Sequence, residues 1–215
     1  MFNVERTSRK ISGFLANELS LGEEKEAVIN YGLFAIIQTL ISIIFVLTFG
    51  LIFDVAFEAF LISLTMSILR KSSGGIHAST PVRCIVVATI FSVGMGVAIK
   101  RVIAIAISLD SILKIIIFVW AYIIVYKLAP VDSIAKPINS LEKKRKLKRN
   151  SIFILTVFII ITIINNLTFI WIREEKFIVY NYCIYTAIAW QVFSLTKMGH
   201  IILRKLDNCF KYIKL

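Results

Sequence analysis

The sequence predicts an all-α, polytopic membrane protein. It would have about six membrane helices, some short or re-entrant, with an amphipathic interfacial helix at each end. Three observations carry this. Hydrophobic residues make up 58% of the 215, and the mean hydropathy is +0.84. Apolar stretches close to the roughly 20 residues a helix needs to cross the hydrocarbon core recur along the chain. The net charge of +12 comes from basic residues gathered at the ends of those stretches, as in the cytoplasmic loops of membrane proteins. The expected counter-charge is therefore anionic lipid and not nucleic acid. A single membrane-embedded domain over 1–215 follows. Its three cysteines show no CxxC spacing, which argues against a disulfide framework. Residues 1–30 are charged throughout and lack the short apolar core and cleavage site of a signal peptide.

In chain order, residues 1–30 place Ile11, Phe14, Leu15 and Leu19 on one helical face. This is either an amphipathic helix on the membrane surface or a cap on the bundle. Apolar segments follow at about 31–53 and 55–69, the second ending at Arg70. Fifteen residues give roughly 22 Å of helix against a core of about 30 Å, so this segment is short or re-entrant. Further segments are read at about 85–99 and 102–127, with Lys100-Arg101 as the break between them. Gly94 and Gly96 would permit close helix approach. Lys114 lies four residues after Asp110 inside the fourth segment. The two form either a structural pair or part of a transport pathway. The fifth and sixth segments span about 151–171 and 177–196. The tail, 197–215, repeats Ile202, Leu206, Cys209, Phe210 and Ile213 at helical spacing, as an interfacial helix does. With six crossings, twenty basic residues fall on the side of the termini and four on the other. That bias places both termini and the 70–84 loop in the cytoplasm.

The chemistry concentrates in residues 70–84, the one polar stretch of the apolar first half, which holds His77 and Cys84. A thiol becomes a nucleophile as its thiolate, and a neighbouring imidazole can take the proton. On one unbroken helix an offset of seven would hold the two about 10.5 Å apart. Pro81 changes this. Thr80 before it is pushed out of the helical region and suits an N-cap, and Pro81 suits the first helical position. Cys84 then falls in the first helical turn, where the helix dipole favours a thiolate. His77 lies on the incoming loop, and Gly74-Gly75 permits a tight turn that could aim N–H groups at an oxyanion. On the residues alone a second reading stands beside this one, a topogenic cytoplasmic loop in which the His and Cys are incidental.

Arg70, Gly74-Gly75-Ile76-His77-Ala78 and Cys84 resemble the signature of the AgrB (accessory gene regulator B) family. Ala129-Pro130-Val131-Asp132 and Lys136-Pro137-Ile138 are similar to its second block. The resemblance implies an integral-membrane cysteine endopeptidase with His77 and Cys84 as its dyad. Such an enzyme removes the C-terminal tail of an AgrD-type propeptide and promotes its cyclisation to a thiolactone or lactone autoinducing peptide for quorum sensing. The resemblance also implies a bacterial cell-membrane location and a homodimer. Arg70, Gly74 and Gly75 are candidates for oxyanion or structural support, and Asp132 for orienting His77. The run Lys143, Lys144, Arg145, Lys146, Lys148 and Arg149 serves as a positive-inside signal, and the acidic tail of AgrD-type peptides gives it a second use in attraction. No cofactor or metal is expected, because His77, Cys84, His200 and Cys209 match no zinc spacing. The alternative function is a small membrane transporter or channel exporting a peptide.

Overall fold

The computed structural model describes residues 4–76, 79–106, 109–131 and 140–212, with backbone alone at 103–106 and 211–212. The described residues form eight α-helices: α1 (Val4–Glu18), α2 (Glu23–Ile52), α3 (Ala56–Ser73), α4 (Pro81–Ala106), α5 (Asp110–Leu128), α6 (Leu141–Ile172), α7 (Lys176–Phe193) and α8 (Lys197–Tyr212). No strand occurs among them, and the all-α expectation holds. The chain divides into two compact units, Met1–Phe45 and Val46–Leu215.

The first unit contains α1 and most of α2. Helix α1 buries Val4, Ser8, Ser12 and Ala16, a stripe of mostly small residues at i, i+4 spacing. Ile11 and Phe14 on this helix, and Leu19 just after it, are exposed, and Leu15 is half-buried; these four form the interfacial face expected from sequence. The single amphipathic segment expected over 1–30 is in fact two helices. The chain turns after Glu18, with Ser20 at φ 48° and the Leu21 N–H donating to the Ala16 carbonyl at 2.9 Å. Helix α2 restarts at Glu23 with Glu23, Glu24 and Glu26 in its first turn, where acidic side chains complement the helix dipole.

In the second unit α7 is the hub and packs against α3, α4, α5 and α6. Its buried positions run around most of its circumference, from Ile178 to Val192. Leu69 of α3, Phe118 and Val125 of α5, and Leu155 and Phe158 of α6 close on Ile184, Tyr185 and Ile188. On another face Ile62 and Met66 meet Val179, Cys183 and Ala187. Lipid tails are as apolar as these side chains, so close packing and interhelical hydrogen bonds hold such a bundle more than hydrophobic transfer does. Gly96 serves close approach, since a Cβ there would sit 3.3 Å from Val55 Cβ, whereas Gly94 faces open space. Helices α2, α4, α5 and α6 are long and apolar enough to cross a membrane. Their outward side chains, such as Ile90, Ile115, Val119, Ile160 and Ile164, are exposed. The buried helices α3 and α7 have 18 residues each.

Two boundaries differ from expectation. Lys100-Arg101 does not interrupt a helix, because α4 runs through to Ala106. Lysine and arginine are good helix formers, and neither glycine nor proline lies there to break the turn. Lys100 reaches back to the α2–α3 corner, 3.7 Å from Asp54 and 3.5 Å from Glu58. The loop expected to begin at Arg70 begins at Gly74, because α3 continues to Ser73.

The Asp110–Lys114 pair forms at 4.0 Å, inside a larger buried network. Asp110 accepts from Asn166 Nδ2 at 2.8 Å and from the Tyr185 hydroxyl at 3.1 Å. Asn181 donates to Asn166 and to the Thr162 carbonyl, and accepts from Asn165 Nδ2 at 3.0 Å. Polar groups away from water need such partners, and these tie α5, α6 and α7 together.

Candidate functional site

Cys84 stands in the first turn of α4, half-buried and with a free thiol. Local sequence sets the turn. Thr80 Oγ1 accepts from the Arg83 N–H at 3.3 Å, and the Thr80 carbonyl accepts from the Cys84 N–H at 3.1 Å. Pro81, which has no N–H to satisfy, opens the helix. This is the cap that the Thr-Pro dipeptide predicts.

Arg70 lies in the last turn of α3. Its Nη2 donates to the Ile76 carbonyl, and its Nε is buried with no hydrogen-bond partner among the described residues. Gly74 and Gly75 make the turn between α3 and the following loop at φ 72° and 123°, values that L side chains rarely adopt. The Gly74 N–H donates to the Arg70 carbonyl at 3.0 Å and caps α3. With α3 extended to Ser73, that bond engages the Gly74 N–H at the helix end.

The two sequence blocks meet here. Gly74 bridges Val131 in parallel, and the Val131 N–H donates to the Ser73 carbonyl at 2.9 Å. A Cβ on Gly74 would lie 2.1 Å from the Val131 carbonyl oxygen. Opposite, α7 supplies a contact that the sequence reading missed. Gln191, 1% exposed, donates from Nε2 to the Gly74 carbonyl at 2.8 Å and to Ser73 Oγ at 3.1 Å. Ser194 Oγ donates to the Gln191 carbonyl at 2.6 Å, and a Cβ on Gly75 would meet that hydroxyl at 2.8 Å. The available signal was an amide within an otherwise apolar run, Trp190-Gln191-Val192-Phe193.

His77 and Asp132 lie outside the described residues, as do Lys136-Pro137-Ile138. The basic run occupies the first turns of α6, behind an N-cap in which Ser140 Oγ accepts from the Lys143 N–H at 3.2 Å. Lys143, Lys144, Arg145, Lys146 and Arg149 are exposed, and Lys148 Nζ sits 4.6 Å above the Tyr126 ring. Cys183 is fully buried in α7 and Cys209 is exposed on α8. Among the described residues no three His, Cys, Asp or Glu side chains converge as metal ligands would.

Fold and site together define a class: a helical integral-membrane protein in which a capped helix presents a half-buried free cysteine after a clamped glycine turn. The family described as accessory gene regulator B matches residues 8–195. An AgrB-like protein of Clostridium perfringens strain SM101 is 37% identical over 207 residues, covering 95% of this chain and 97% of the relative. A second AgrB-like protein, from Clostridium perfringens strain 13, is 36% identical over 210 residues with the same coverage. The chain belongs to the AgrB family and so to the accessory gene regulator system. No solved structure matches it.

Proposed function

We propose that this protein is a membrane cysteine endopeptidase that cleaves the C-terminal tail from an AgrD-type precursor through a Cys84 thioester and then promotes ring closure. The observation that carries the reading is the convergence of both sequence blocks and α7 on the glycine turn that leads into the Cys84 helix. Such a clamp fixes a backbone that glycine would otherwise leave free, as a preorganised site requires.

In the first step Cys84 Sγ attacks a carbonyl near the precursor's C-terminus while His77 takes the thiol proton. Arg70, whose buried Nε has no hydrogen-bond partner among the described residues, supports the negative charge that develops on the carbonyl oxygen. The C–N bond breaks, His77 returns the proton to the leaving amine, and the acyl group stays on Cys84 as a thioester. In the second step an internal thiol or hydroxyl of the precursor gives up its proton and attacks that thioester. The ring closes as a thiolactone or lactone and Cys84 leaves as thiol. Exclusion of water separates ring closure from hydrolysis. Asp132 orients His77, and the α6 basic run attracts the acidic tail. The charge bias of the loops supports a cytoplasmic location for both termini and for Cys84. The working form is a homodimer in a bilayer with anionic lipid.

The test is tail release in liposomes, read by mass spectrometry for wild type, Cys84→Ala and His77→Ala. Release by wild type alone is the expected result. Release that survives in Cys84→Ala removes the thiol as nucleophile and favours the transport reading.

A further inference from the structure

The segment that carries Cys84 is also held from α8. Asp207 Oδ1 accepts from the Ser79 backbone N–H at 3.2 Å and lies 3.8 Å from Arg83 Nη1. The same Nη1 donates to Ser79 Oγ at 2.7 Å. A single carboxylate oxygen thus engages both ends of the turn that Thr80 caps. The two charged side chains are 12% and 18% exposed, so the pair is half-buried.

The geometry of α8 suits this contact. His200, Leu203, Asp207 and Phe210 are half-buried and fall on one face, at i, i+3, i+7 and i+10. Ile201, Ile202 and Leu206 are turned away and exposed, as an interfacial helix requires. The family match ends at residue 195, so α8 and Asp207 lie beyond it.

We propose that Asp207 is a positioning residue for Cys84, acting through Ser79 and Arg83, an inference that rests on the dyad reading above. Ser79 follows His77 by two residues, and Arg83 directly precedes Cys84. Holding the two together fixes the separation of the residues that flank the dyad. Among the described residues, Arg83 from α4 and Asp207 from α8 are charged side chains that meet at this turn. Loss of Asp207 takes the acceptor from the Ser79 N–H and one carboxylate contact from Arg83. The first turn of α4, and the Cys84 thiol with it, then loses one tie to α8.

The test uses full-length protein in liposomes and two readouts. One is the rate of Cys84 alkylation by iodoacetamide at neutral pH, with peptide mapping to separate it from Cys183 and Cys209. The other is kcat and KM for tail release. Wild type is expected to alkylate faster than His77→Ala, and Asp207→Ala to fall to the His77→Ala rate. Asp207→Ala should lower kcat about tenfold with KM within about twofold, the signature of a misplaced reacting group. Asp207→Asn keeps an oxygen for the Ser79 N–H and should restore most of both. Wild-type alkylation and kcat in Asp207→Ala would overturn the proposal. So would a loss of folded protein with unchanged rates per folded molecule, which assigns Asp207 a structural role only. Equal alkylation of wild type and His77→Ala would instead remove the dyad itself, and this inference with it.

Discussion

The two ends of α7 bury polar side chains to different effect. Toward Lys176, Asn181 and Tyr185 join Asp110, Asn165 and Asn166 in a network whose bonds run mostly from side chain to side chain. Toward Phe193, Gln191 directs its amide at the backbone of a glycine turn, which pairs with Val131 on its other side. The first arrangement joins three helices. The second holds a loop in a conformation that the local sequence does not enforce. A buried polar group in a membrane bundle can thus serve cohesion or positioning, and the atoms it bonds tell which.

The largest effect is expected from Gly74→Ala. Its Cβ would lie 2.1 Å from the Val131 carbonyl, at a φ of +72° that alanine resists. Precursor cleavage should fall about 100-fold or more, close to 2.7 kcal/mol of lost transition-state stabilisation. Helix content by circular dichroism should be retained. Gln191→Glu comes next: the shape is kept but the donor to the Gly74 carbonyl and Ser73 Oγ is lost. A drop of about 10- to 30-fold in kcat is expected, on the scale of a loosened supporting shell.

Asn166→Ala probes the opposite end. It removes one donor from buried Asp110 and should cost about 1–3 kcal/mol of stability, read as a lower Tm in detergent. Turnover per folded molecule should be unchanged; a selective loss of turnover here would break the contrast between the two ends. The smallest effect belongs to Lys143→Gln with Lys144→Gln. KM should rise about threefold at low salt, and the difference should vanish near 1 M salt, where exposed charges are screened.

Part of this was legible in sequence. Apolar length marked α2, α5 and α6, because a span must be apolar over its whole length. Thr80-Pro81 marked the start of α4, because capping is decided within a few residues. Lys100-Arg101 marks no boundary, because charge alone does not end a helix; helices end where the backbone finds a reason to turn. Gln191 and Asp207 were missed because their partners, Gly74 and Ser79, lie 117 and 128 residues away. Only the tertiary fold brings them together, and the sequence marks Gln191 as no more than a polar residue in an apolar helix.

The most direct test of Cys84 as nucleophile is to trap the acyl-enzyme. Wild-type protein in liposomes, mixed with an AgrD-type precursor and quenched in acid, would be digested and mapped by mass spectrometry. A precursor lacking its C-terminal tail, bound to the Cys84 peptide and absent from Cys84→Ala, is the expected result. Tail release by Cys84→Ala, or an adduct mapped to Cys183 or Cys209, would contradict it.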